Sequence, residues 1–287
     1  MQAHGQDLWQ TLKESSLILI FEFLGTLLLT SLYNSCFQSA DGTGLFVGFF
    51  ILLIFSARIS GSHFNPAVTL AFMLRKDTGR FSRKLGICYI LFQYGGAFLG
   101  ALISYLIFQA NTTQPLTVAR STHDIEPGCT EDCGTLLWFQ ALIQEIVGSC
   151  LLVFLYLTQT EEKTKLSEGD PAITTLIISA AYYAALGYAT TVLTVTGSPL
   201  NPAASGGLFW AILFAGDIKG REGIWIFFFA GYLGGLLAVL LFEFVYKKAM
   251  TIVQEEEGDE LPQEEHEQNL LDARNADEPQ TATGDGY

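Results

Sequence analysis

The chain has 287 residues, half of them hydrophobic and only 15% charged, with 22 Phe and a formal net charge of −14. Apolar blocks with the charges gathered between them are a membrane composition, not that of a soluble one- or two-domain protein. Twelve acidic residues against Arg274 put −11 of the charge after Ala249, leaving −3 elsewhere, and no basic stripe suggests nucleic acid.

In chain order, residues 1–14 have neither a basic start nor a small-residue cleavage site, so they read as a short segment before a retained first span. That span runs from about Ser16 to Leu32 and carries Glu22. A second, shorter apolar stretch covers Gly44 to Ala57. Next comes Ser62-His63-Phe64-Asn65-Pro66-Ala67, after which the apolar run lasts only to Leu74 before Arg75 and Lys76. The third span is Leu85 to Phe108. The loop from Gln109 to Thr135 holds the sequon Asn111-Thr112-Thr113, close enough to the span end to be expected unmodified. It also holds Cys129 and Cys133, which are either a disulfide in an oxidising compartment or two free thiols. Leu136 to Leu157, with Glu145, is the fourth span and Ala172 to Val195 the fifth. Gly197-Ser198-Pro199-Leu200-Asn201-Pro202-Ala203 then repeats the earlier motif, followed by an apolar run to about Ala215. Ile224 to Val245 is the sixth span, and residues 249–287 form an acidic tail expected to be disordered. Cys88 and Cys150 lie inside spans as packing residues, Cys36 has no evident partner, and no cysteine or histidine set has metal-ligand spacing.

The two Asn-Pro-Ala motifs organise this plan. Asn is a preferred N-cap, and Pro suits the first helical position, where its missing N–H has no partner to lose. About ten helical residues rise about 15 Å, half of a ~30 Å hydrocarbon core. Two such half-helices, entering from opposite faces and meeting tip to tip, make one composite span. Each N-terminus carries roughly +0.5 of an elementary charge, so the Asn65 and Asn201 amides meet a neutral polar guest while cations and protons are repelled.

The chain also repeats. Glu22-Phe23-Leu24-Gly25 in the first span matches Glu145-Ile146-Val147-Gly148 in the fourth. The Gly-rich stretch Gly95-Gly96 to Gly100 in the third matches Gly231-Tyr232-Leu233-Gly234-Gly235 in the sixth. Three spans per half require the halves to insert in opposite senses, which places the site near the midplane at their interface. The glycines let helix backbones approach closely. Buried Glu22 and Glu145 read as acceptors for the N–H groups of the two broken loops, the alternative being proton coupling in a transporter. His63 reads as a hydrogen-bonded pore-mouth residue, not a metal ligand. Eleven Lys and Arg residues lie on the side of the termini, and only Arg120, Lys219 and Arg221 on the other, which assigns both termini to the cytoplasm.

Ser60-Gly61-Ser62-His63-Phe64-Asn65-Pro66-Ala67-Val68-Thr69, the paired glutamates and Gly231-Tyr232-Leu233-Gly234-Gly235 together resemble the major intrinsic protein family of aquaporins and aquaglyceroporins. The resemblance covers about Ser15 to Lys248. It implies an all-α membrane protein of six transmembrane helices plus two re-entrant half-helices in inverted three-helix repeats (about 15–108 and 136–246). It also implies one pore per protomer and a homotetramer, without cofactor. By that likeness the pore is lined at Asn65, Pro66, Ala67, Asn201, Pro202 and Ala203. The narrow outer filter falls at Leu45 (or Phe46), Tyr188 (or Ala189), Ser198 and Ala204.

Ala204 is a departure, because family members usually carry Arg there. Losing that cation leaves ion exclusion to the half-helix dipoles and to the cost of desolvating a charge. Other markers conflict. Ser205 stands where glycerol channels tend to have Asp, and Phe227-Phe228 where water channels tend to have an aromatic pair. The expectation is a passive channel for water, with glycerol, urea, ammonia or peroxide as wider cargo, in the plasma membrane or an intracellular vesicle or vacuole membrane. Rivals are a proton-coupled secondary transporter and a structural membrane protein with a closed pore. No nucleophile, metal cluster or phosphate loop suggests an enzyme.

Overall fold

The computed structural model describes residues 12–39, 41–76, 81–108, 117–118, 134–161, 164–166, 170–190, 195–196, 198–214 and 223–255. Asn111, Cys129, Cys133, residues 1–11 and the tail from 256 lie outside them. Two compact units divide at Glu243 and Phe244. Of the second, the described residues to 255 are helical.

The first unit holds eight helices of nine residues or more among its described residues. They are α1 (Ser16–Ser39), α2 (Gly42–Ser56), α3 (Pro66–Leu74) and α4 (Arg83–Phe108), then α5 (Gly134–Thr160), α6 (Pro171–Thr190), α7 (Pro202–Phe214) and α8 (Ile224–Leu241). A π-helical segment, Phe242–Tyr246, follows α8. Among the described residues five helices are long and apolar enough to cross a membrane, whereas α2, with 15 residues, is shorter. α2 starts where Asp41 caps it, its carboxylate accepting the Gly44 N–H at 2.8 Å.

The fifth helix ends earlier than hydropathy suggests. α6 stops at Thr190, and Val195–Thr196 forms β2, paired antiparallel with β1 (Thr117–Val118) from the loop after α4. This two-residue ladder joins Thr117–Val118 to Val195–Thr196.

Glycine positions show how the halves pack. A Cβ on Gly96 would collide with the Phe23 carbonyl of α1, and one on Gly100 with that of Leu27. In the second half a Cβ on Gly234 would strike the Ile146 carbonyl and the Cys150 N–H of α5. Phe23 and Ile146 each follow the span glutamate by one residue, so α1 against α4 repeats as α5 against α8 in the same register. Between the halves, Gly207 of α7 lies against the Ala97 carbonyl of α4, and Gly235 of α8 against that of Ala67 in α3. Helices in lipid associate through such close packing.

Gly96→Ala is therefore expected to cost about 1–3 kcal/mol, because the colliding atom is backbone and cannot turn aside. Gly187, whose added Cβ meets nothing within 4 Å, is the control. Gly187→Ala should be neutral or gain up to about 1 kcal/mol of helix propensity. Thermal unfolding of both variants in one detergent checks the contrast.

Candidate functional site

α3 and α7 meet at their N-terminal tips through two reciprocal hydrogen bonds. Asn65 Nδ2 donates to the Leu200 carbonyl at 2.8 Å, and Asn201 Nδ2 donates to the Phe64 carbonyl at 2.8 Å. Each side chain also caps its own helix. Asn65 Oδ1 accepts the Ala67 N–H at 2.9 Å. Asn201 Oδ1 accepts those of Ala203 at 3.0 Å and Ala204 at 3.3 Å. Pro66 and Pro202 open the two helices, where no N–H is needed.

The residue before each Asn makes the crossing possible. Phe64 and Leu200 take left-handed backbone angles, φ 48° and 51°, and are fully buried. Each seats on the glycine three positions after a span glutamate. The Phe64 ring fills the space of a Gly25 side chain, and Leu200 Cδ2 would lie 2.9 Å from a Gly148 Cβ. The interval from Glu to Gly in both halves was the sequence signal for this contact, though nothing in it named Phe64 or Leu200 as the occupants.

Glu22 holds the first loop from below. Its Oε1 accepts the Ser60 hydroxyl at 2.6 Å and the His63 N–H at 3.0 Å. Its Oε2 accepts the Phe64 N–H at 2.8 Å and Gln93 Nε2 at 2.8 Å. Four donors compensate a carboxylate with no solvent exposure. Gln93 also reaches Thr69 Oγ1 at 2.9 Å, and His63 Nδ1 lies 3.2 Å from the same hydroxyl. The His63 ring is walled by Phe72, Phe81 and Tyr89 at 4.4, 5.1 and 5.4 Å. It is a packed, hydrogen-bonded side chain, and no metal-binding group of His, Cys, Asp or Glu occurs among the described residues.

Glu145 is held differently. Its Oε2 accepts the Ser198 hydroxyl, while Oε1 has no hydrogen-bond partner among the described residues. The helix register accounts for two of the three donors that Glu145 lacks. Pro199 stands where the first half has His63, and proline has no N–H to give. Gly231, three residues before Gly234, stands where the first half has Gln93, three before Gly96. Two of the four donors are thus missing by residue type.

A cavity of about 10 Å³ lies between the tips, lined by Asn65, Asn201, His63, Val68, Leu29, Phe49, Leu152, Tyr156 and Tyr182. That is room for about one water molecule. Each asparagine amide carries two N–H groups and gives one to the opposite carbonyl, so one per side remains for a guest. A wider cavity of about 300 Å³ opens beside the ends of α2 and α5 and the start of α6.

A family model described as Major intrinsic protein matches residues 11–242. The chain belongs to the major intrinsic protein family. Similar curated members include Aquaporin PIP1-3 of Arabidopsis thaliana, 31% identical over 69% of this chain and 63% of that one. Aquaporin-1 of Canis lupus familiaris is 28% identical over 65% of this chain and 59% of its own length. The match thus spans about three fifths of these two relatives. Probable aquaporin PIP2-8 of Oryza sativa subsp. japonica is 27% identical over 80% and 81%. The X-ray structure of the aquaglyceroporin from Plasmodium falciparum shares the fold, with a TM-score of 0.62 at 21% identity, covering 83% of this chain and 99% of that one. The protein is an integral, multi-pass membrane protein of this family.

The four positions expected for the filter separate. Leu45 is buried in the first turn of α2, and the neighbouring Phe46 carbonyl accepts from Ser179 at 2.7 Å. Ser198 is buried with its hydroxyl on Glu145, and Ala204 is buried one turn into α7. Tyr188 lies elsewhere. It is 47% exposed, at four-residue spacing from exposed Ala184 and Ala180, whereas Ala189 is fully buried. Counting from the Leu-Gly pair pointed at Tyr188, but the face of α6 turned inward carries Ala189.

Proposed function

We propose that this chain is a passive transmembrane channel for water and small uncharged solutes, without covalent chemistry, its pore passing between the tips of α3 and α7. The observation that carries the reading is the reciprocal bonding of Asn65 to Leu200 and of Asn201 to Phe64 beside a one-water cavity. That arrangement brings two helix N-termini together and leaves each asparagine amide a further N–H, which suits a neutral guest and opposes cations. Four protein donors already occupy Glu22, which favours a structural carboxylate over a coupling site. The same reading takes a homotetramer with both termini cytoplasmic.

Osmotic swelling of vesicles containing the protein tests it. A channel gives rapid water flux with low activation energy and no response to a proton gradient. Saturable, gradient-driven flux would favour the transporter, and flux equal to that of empty vesicles would favour a closed structural protein.

Ala204 favours a solute range wider than water, since no fixed cation stands one turn into α7. In a panel of water, glycerol, urea and peroxide, Ala204→Arg is expected to lower solute flux relative to water by on the order of ten-fold. Equal ratios in wild type and variant would remove Ala204 from the filter.

A further inference from the structure

The two cavities have one residue in common. Tyr156 lines both the wide cavity near Arg58 and the one-water cavity at the tips. It is 2% exposed, and its hydroxyl donates to the Gly61 carbonyl and, at 3.0 Å, to the Ser62 carbonyl. Both residues have left-handed backbone angles, φ 84° and 53°. The Tyr156 ring is met edge-on by His63 at 6.1 Å and by Phe72 at 5.9 Å. Just past the end of α5, Glu161 pairs with Arg75 at the far end of α3. α5 and the residue that follows it thus grip the first re-entrant segment at its entry and exit, with Tyr156 between the wide cavity and the tips.

We propose that Tyr156 is the specificity-determining constriction on the α3 entry side of the pore, an assignment that rests on the channel reading above. A guest leaving the wide cavity meets an aromatic ring where two loop carbonyls would otherwise accept its hydrogen bonds. Water has little to lose there. Glycerol or urea must shed several hydrogen bonds against an apolar face in a passage too narrow to replace them. With alanine at 204 on the opposite side, Tyr156 slows the wider solutes that the outer end admits.

The test uses full-length protein in vesicles and measures water, urea and glycerol flux for wild type, Tyr156→Ala and Tyr156→Phe. Tyr156→Ala is expected to raise glycerol and urea flux by on the order of ten-fold. Tyr156→Phe keeps the ring but frees the Gly61 and Ser62 carbonyls, so its glycerol flux should stay at the wild-type level while water flux rises about two-fold. A solute-specific gain is something a misfolded variant cannot produce. If wild type conducts water and Tyr156→Ala passes glycerol no faster than wild type, the assignment to Tyr156 is overturned and the channel stands. If no form conducts water above empty vesicles, the channel reading falls and takes this one with it.

Discussion

Glu22→Gln should lower the thermal stability of the protein far more than Glu145→Gln, although both change one buried carboxylate to an amide. At Glu22 each oxygen accepts two donors. Whichever way the amide turns, its NH₂ faces two donors that have lost their acceptor. A buried donor left unsatisfied costs about 1–3 kcal/mol, so about 3 kcal/mol in total is a moderate expectation. Glu145 can keep its carbonyl oxygen on Ser198 and turn the NH₂ to the side where Oε1 has no partner among the described residues. That change should cost about 1 kcal/mol or less. For a chain of this size 1 kcal/mol moves the midpoint by about 2–4 °C, so the two variants should separate clearly in one detergent at a fixed heating rate. Equal losses would mean that the hydrogen bonds at Glu22 are not what secures the first loop. A loss of proton-coupled flux at unchanged stability would restore the transporter.

Much of this architecture was legible because it rests on local chemistry. One Asn-Pro-Ala followed by an apolar run cut short at Arg75 reads as an ordinary helix start, its second copy before another short run makes the pair half-helices, and the glycines of α4 and α8 announce close packing whatever lies opposite. What escaped depends on partners distant in sequence. Val195 lies in β2 and not in α6, paired with Val118, a contact to which hydropathy is blind. Tyr188 was chosen by counting from a Leu-Gly pair, and counting does not say which face of α6 turns inward. The matched glutamates suggested matched roles. Yet the difference was already written in Pro199 and Gly231, once the register of α4 against α1 and α8 against α5 showed which residues to compare. Tyr156 carried no motif at all, and only the two cavities it borders draw attention to it.

Asn65→Asp and Asn201→Asp separate the two tasks each asparagine performs, and we expect both variants to lose function with their half-helices still capped. Asp serves as an N-cap about as well as Asn, and its charge suits a helix N-terminus. The Ala67 N–H therefore keeps its acceptor. What disappears is the donor to the opposite carbonyl. A carboxylate would face the Leu200 or Phe64 carbonyl across the 2.8 Å now spanned by a hydrogen bond. Two acceptors at that distance repel, and the bared carbonyl adds about 1–3 kcal/mol. The tips should draw apart, and water flux should fall by on the order of ten-fold as the lining moves by an ångström or so. A negative charge beside a one-water cavity also cancels part of the positive field of the two helix ends, so cation leak should appear where wild type has none. Asn65→Ala combined with Asn201→Ala completes the comparison. Once one bond is gone the tips are already loose, so the double variant should fall short of the summed single losses by about 1 kcal/mol. Strict additivity, with Asp variants that conduct water and exclude cations like wild type, would mean that packing of Phe64 on Gly25 and of Leu200 on Gly148 joins the half-helices, and that the two amides merely line what the packing has already built.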